Sequence, residues 1–209
     1  MPNWVYNSLV IKGEADVIAK IRAQVSAPYE TKHLDWKTNE LRTEKVEQPF
    51  SYWNIIKPTD LDAYFDNPKT HDQSGRNHWY NWNCSNWGVK WDASDVYESD
   101  GDDTLLVYTF QSPWGIPEAA LVELSSQYPT AELELEFEEE GGWGGTIEFT
   151  NGFAVVTEEY DSKCRQCQAL ETMDYCEECE CQVCKDCNYA EFAPEDKCEA
   201  HKEKETVNG

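Results

Sequence analysis

Between Trp91 and Ser162 the chain holds 18 Asp and Glu and not one Lys or Arg. Polyanion binding draws its affinity from basic side chains that release counterions from phosphate, so direct DNA or RNA binding by this half is excluded. The whole chain has 17 basic residues against 41 acidic ones, a formal net charge of −24. Two readings of the imbalance stay open. One is a solvated acidic surface that keeps the chain soluble; the other is a negative face for a basic partner, including imitation of a nucleic-acid backbone.

Long apolar runs are missing as well, and without about 18 consecutive apolar residues nothing spans a membrane. The opening MPNWVYNSLVIKG alternates like a strand and lacks the charged and then apolar regions of a signal peptide, so a cytoplasmic protein is expected. Histidine is scarce, with 4 in the chain, and His33, His71 and His78 stand isolated. No HExxH, GxSxG or phosphate-loop pattern surrounds them, and the GGWGG run at 141–145 lacks the lysine and helix that a phosphate cradle needs. A binding protein rather than an enzyme is the expectation.

What is present is periodicity. Residues 3–12 alternate, with Val5, Leu9 and Ile11 on one face of a strand, and Val17, Ile18, Ile21 and Val25 follow at helical spacing before Pro28. Regularity fades over 28–77, an insertion whose aromatic-rich part, PFSYWNIIKPTDLDAYF, covers the sheet. The run HWYNWNCSNWGVKWD (78–92) holds four tryptophans and a tyrosine; residues 79–91 are predicted as a strand with a bulge at Asn86-Trp87-Gly88, and Cys84 as a buried thiol. That strand is predicted to pair with TLLVYTFQ (104–111). After Pro117, Ala120, Leu121, Leu124 and Tyr128 line a helix face. Ala131 to Glu138 alternates strictly, with Ala131, Leu133, Leu135 and Phe137 inward and Glu132, Glu134, Glu136 and Glu138 outward. Asn151-Gly152 then marks a terminal hairpin. The order βαββαβ plus a hairpin is the split βαβ arrangement: an α+β, ferredoxin-like antiparallel sheet over 1–160, with helices on one face.

MPNW, NSLVIKG, FSYWNIIKP, WYNW, NWGVKWD, the SPW at 112–114 and EEGG, in this order, resemble the phage and plasmid proteins that carry a YubB-type ferredoxin-like domain, over roughly residues 1–155. The resemblance implies an accessory protein of a mobile element acting in the bacterial cytoplasm. It places Trp79, Trp82, Asn86, Trp87, Gly88, Lys90, Trp91 and Trp114 at the family's motif positions. Tryptophan serves cores and recognition sites equally well. If some of these rings surface near Lys90, they form an aromatic recess for a nucleobase or a partner side chain.

The tail, 161–209, reads Cys164-x2-Cys167, Cys176-x2-Cys179, Cys184-x2-Cys187 and Cys198-x2-His201. Two donors separated by two residues can turn onto one ion, and eight such donors suit two tetrahedral zincs better than an iron–sulfur cluster or, in a reducing cytosol, a disulfide framework. The short interval between Cys179 and Cys184 favours interleaving, with Cys164, Cys167, Cys184 and Cys187 on one zinc and Cys176, Cys179, Cys198 and His201 on the other. YCEECECQVCKDC resembles B-box and related cross-brace modules; Cys181 is left over. Four protein ligands leave no open position, so these are structural zincs.

The leading expectation is an acidic, non-enzymatic phage- or plasmid-encoded protein that binds a host or mobile-element protein, with counter-defence as its setting. A polyanion mimic and a binder of a nucleotide or small signal are the alternatives.

Overall fold

The computed structural model describes residues 2–35, 37, 38, 40–65, 78–160, 173–176 and 181–184. Strand β1 (Trp4–Lys12) buries Val5, Leu9 and Ile11 as their alternation requires, and also buries Asn7 between them. Helix α1 (Ala15–Val25) presents Ile18, Ile21 and Val25 to the sheet. The chain then forms a separate two-stranded ribbon, β2 (Tyr29–Asp35) and β3 (Glu40–Val46). A short turn of helix (Tyr52–Asn54) and helix α2 (Leu61–Phe65) complete the described part of the insertion.

Helix α3 (Trp79–Asn86), β4 (Ser94–Asp102), β5 (Leu105–Pro113), α4 (Glu118–Gln127), β6 (Glu132–Glu139), β7 (Gly144–Thr150) and β8 (Phe153–Tyr160) follow. The six-stranded sheet has the order β4-β5-β1-β6-β7-β8, antiparallel throughout. Its first four strands have the split βαβ order, with β5 between β1 and β4; β7 and β8 extend the sheet beyond β6. Two further short strands, β9 (Met173–Cys176) and β10 (Cys181–Cys184), pair with each other, with Cys176 opposite Cys181.

One face of the sheet carries the core. Leu106, Tyr108 and Phe110 from β5, Leu133, Leu135 and Phe137 from β6, and Ile147 and Phe149 from β7 pack there with α1 and with Ala120, Leu121 and Leu124 of α4. The insertion joins this layer: Phe50 stacks at 5.2 Å on both Tyr108 and Phe110, and Tyr52, Trp53 and Ile55 are buried beside it. Asn54 ties the insertion to α1 by donating to the Val25 and Ala27 carbonyls at the end of that helix.

Three expectations need correction. The stretch predicted as a strand over 79–91 is helical to Asn86, and the strand paired with β5 is β4. Trp79, Trp82, Asn83 and Trp87 stand at i, i+3, i+4 and i+8, one face of a helix, a pattern masked by the β-propensity of so many aromatics. β4 went unread because an edge strand with the sequence SDVYESDGD has no apolar alternation. The insertion contains a two-stranded ribbon, whose sequences YETKHLD and ELRTEKV mix charged and apolar residues with no clean alternation to mark a strand. Cys84 is exposed on α3 rather than buried. The hairpin turn agrees with its sequence, since Asn151 and Gly152 both have positive φ, 50° and 81°.

Candidate binding site

The loop from Trp87 to Ala93 is anchored on both sides. Trp87 is buried among the rings of Tyr52, Trp53 and Trp82, and its indole N–H donates to the Ile56 carbonyl at 3.1 Å. Gly88, at φ 88°, turns the chain where a Cβ would lie 3.1 Å from the Ile116 carbonyl oxygen. Val89 goes back into the core. Asn83 donates to the Lys90 carbonyl and accepts from the Tyr64 hydroxyl, both at 2.8 Å.

On the far side the Asp92 carboxylate is turned inward. One of its oxygens accepts from the Tyr29 hydroxyl at 2.8 Å and the Ser51 hydroxyl at 2.5 Å; the other accepts from the Tyr52 backbone N–H at 2.7 Å and the Ala93 N–H at 2.8 Å. Burial pushes its carboxyl above the usual carboxylate range, opposed by these hydrogen bonds.

Between the anchors Lys90 and Trp91 turn outward. The Lys90 ammonium lies 4.6 Å from the ring centre of Trp91, 5.2 Å from Trp114, 5.5 Å from Tyr80 and 5.9 Å from Trp79. Among the described residues no carboxylate pairs with it, so ring quadrupoles supply its local stabilisation. Trp91 and Trp114 are in contact at 5.5 Å, and Trp4 reaches Trp91 at 6.4 Å. Trp91 is 37% and Trp114 51% exposed.

Trp114 has φ 59°, a left-handed conformation that disfavours a bulky side chain by about 1–2 kcal/mol. Long-range bonds hold it there. Its N–H donates to the Asn3 carbonyl, and Ser112, which accepts from buried Asn7, donates to the Gly115 carbonyl at 2.6 Å. A polar residue in the middle of a core strand is thereby explained.

The patch stands at the head of the sheet's open face. Trp4 shares that face with Tyr6, Ser8, Val10 and Lys12, by alternation with the buried residues of β1. One row across the sheet runs Ser94, Gln111, Tyr6, Glu138, Gly144, Tyr160, and the next Tyr97, Thr109, Ser8, Glu136, Thr146, Glu158. Tyr6 and Tyr97 are 51% and 73% exposed, and a hollow of about 400 Å³ lies between these rows, with Asp95 at its rim. Glu132, Glu134, Glu136 and Glu138 all project from this face, with Glu148 beside Glu134. Tyr160 crosses Gly144 to donate to Glu138, and burial together with that carboxylate pushes its hydroxyl up to about 12.

Of the sequence-predicted residues, Trp79, Lys90, Trp91 and Trp114 come together. Trp87 belongs to the core, Trp82 packs against it, and the Asn86 amide donates back to the Trp82 carbonyl within its own helix. Tyr80, Trp4 and Tyr6 belong with the patch and were missed, although Trp4 and Tyr6 already sat on the polar side of an alternating strand. Cys164, Cys167, Cys179, Cys187, Cys198 and His201 lie outside the described residues, and for Cys176 and Cys184 only the backbone is described.

Residues 86–180 match a family model described as the ferredoxin-like domain in Api92-like protein. The chain carries a ferredoxin-like domain. A crystal structure of a protein Api92 from Yersinia pseudotuberculosis shares this ferredoxin-like fold with a TM-score of 0.56 at 12% identity, covering 78% of this chain and 99% of that one. No curated protein matches. Among the described residues no helix is long and apolar enough to cross a membrane.

Proposed function

We propose that this is a non-enzymatic binding protein whose aromatic patch around Lys90, with the glutamate-lined open face of the ferredoxin-like sheet, contacts a protein with a basic surface. The observation that carries the reading is Trp114: half-exposed, left-handed, and held there by Asn3, Asn7 and Ser112. Backbone strain kept in place by long-range hydrogen bonds is found where a side chain has to be presented. Rigid tryptophans surrounded by polar groups supply most of the energy in protein contacts. Carboxylates on the adjoining face steer a basic partner and fix its orientation.

The test is affinity purification with mass spectrometry from bacterial cells expressing the protein, then titration of the purified partner. Trp114→Ala should weaken binding at least tenfold, and raising NaCl several-fold should weaken it further. Binding indifferent to both would refute the reading.

A second reading, a polyanion mimic, is favoured by the four glutamates that repeat on alternate residues of β6, roughly 7 Å apart. It predicts that duplex DNA competes with the protein for its partner. The tail is proposed to bind two structural zincs through the two interleaved ligand sets given above, making it a second contact module. A mobile-element origin, a bacterial cytoplasmic location and a counter-defence role rest on the resemblance to YubB-type proteins.

A further inference from the structure

The two edges of the sheet are built differently. The outer strand β4 is interrupted twice, with register shifts between Ser94 and Tyr97 and between Ser99 and Asp102, and it carries Asp95, Glu98 and Asp102. Bulges and charges of this kind stop an edge from templating another strand. The opposite edge, β8, reads FAVVTEEY, with no proline or basic residue; it has one register shift, at Thr157, and its uncharged stretch Phe153, Ala154, Val155 and Val156 pairs with β7 in unbroken register. Phe153 is 71%, Val155 58% and Val156 56% exposed. Among the described residues no strand pairs with its outer side. An edge strand leaves every second backbone N–H and C=O without a ladder partner, and here apolar side chains stand beside them.

We propose that β8 is a site of strand addition for an extended segment of a basic protein, apolar in one half and rich in lysine or arginine in the other. The proposal rests on the reading of a basic protein partner but uses a surface apart from Lys90. Charge and order along the strand select the occupant. Phe153, Val155 and Val156 form the apolar half, and Glu158 and Glu159 the anionic half, with Glu136 in the same cross-sheet row as Glu158. Backbone bonds give such a complex its affinity, and side chains on alternate positions give it specificity. A second copy of this chain is a poor occupant. Full antiparallel pairing of two β8 strands would set Glu158 against Val155 and Glu159 against Ala154, between chains of formal charge −24 each.

The probe is an octapeptide, RKRTVVTV, labelled at its N-terminus with fluorescein and titrated with the full-length protein by fluorescence anisotropy, with EEETVVTV labelled in the same way as its charge-reversed control. Amide hydrogen exchange reports on β8. The expected result is at least tenfold preference for the basic peptide, with exchange in β8 slowed at least tenfold. Val155→Lys should weaken binding at least tenfold, and the Glu158→Lys, Glu159→Lys double variant should reverse the preference, with circular dichroism confirming that both fold. Trp114→Ala should leave peptide binding unchanged even where it abolishes binding of the full partner, so failure of the Lys90 patch and failure of the β8 edge are separable. Absence of binding at millimolar peptide, or binding without slowed exchange in β8, overturns the proposal. So does a dimer in sedimentation that Val155→Lys dissociates, or outer-edge β8 amides already protected in the free monomer.

Discussion

Replacing Asp92 tests whether the loop that presents Lys90 is held by one buried carboxylate. In Asp92→Ala the backbone N–H groups of Tyr52 and Ala93 lose their acceptor, and the hydroxyls of Tyr29 and Ser51 lose theirs. Hydroxyls can rotate toward other acceptors, but backbone donors cannot. Two orphaned N–H groups at about 1–3 kcal/mol each, less the relief from removing an enclosed charge, give an expected loss of about 2–4 kcal/mol. Asp92→Asn should lose only about 1 kcal/mol, because its amide oxygen still serves both N–H groups while its NH2 faces two hydroxyls able to accept. Urea unfolding at pH 7, followed by tryptophan fluorescence, measures both. The carboxyl also makes a signed pH prediction. Its folded-state pKa lies above the unfolded value, so in the window between the two the native state binds more protons and stability falls as pH rises. Wild type should therefore gain stability as pH falls through the range just above that of an ordinary carboxylate, and Asp92→Asn should gain less. Equal destabilisation by Ala and Asn, or identical pH slopes for wild type and Asp92→Asn, would refute the assignment of the Asp92 bonds as the anchor.

Trp114→Gly should leave the melting temperature within a few degrees of wild type, since relief of the left-handed φ offsets lost ring contacts, while partner binding falls at least tenfold. Gly88→Ala should destabilise by about 1–3 kcal/mol in denaturant titration, because the residue is left-handed and its Cβ would press on the Ile116 carbonyl. Metal analysis should find two zincs per chain. Chelation should then leave exchange protection in β1, β5 and β6 unchanged while the 161–209 segment becomes sensitive to protease.

Sequence reading succeeded where one element's own period decides its surroundings. β1, α1, α4 and β6 each bury a face that their alternation or helical spacing already marked, and the Asn151-Gly152 pair makes the turn that its residue types require. It failed where direction comes from elsewhere in the chain. Trp79 to Trp91 spreads four tryptophans and a tyrosine along its length, so composition alone could not say that Trp87 turns into the core and Trp91 away from it. That choice is made by Gly88, by Asn83 bonding to the Lys90 carbonyl, and by Asp92 reaching Ser51 and Tyr52 about forty residues earlier. The exposure of Trp114 depends likewise on Asn7, 105 residues from Ser112. Lys90 was legible as the last base before the acidic half, but Tyr80 as its neighbour required the helix that the aromatic run concealed.

The open face carries an arrangement that stability alone does not favour. Glu134 and Glu148 are directly opposed on β6 and β7, and Glu132 to Glu138 repeat on one strand, so carboxylates repel along and across the sheet. Lys12, paired with Glu132, is the one base in these cross-strand pairings of the open face. The core face of the same strands is apolar apart from Glu139 at the end of β6, which accepts from the Gly141 N–H, while buried Asn7 of β1 and Ser112 of β5 are spent on fixing Trp114. Repulsion on one face and strain at its head are therefore separate departures from the most stable arrangement, carried by β6 with β7 and by the end of β5. The proposed approach of a cationic surface would relieve the repulsion by neutralising the glutamates and would cover Trp91 and Trp114, the ring that the strained backbone presents, which is why we assign the two features to one contact rather than to two.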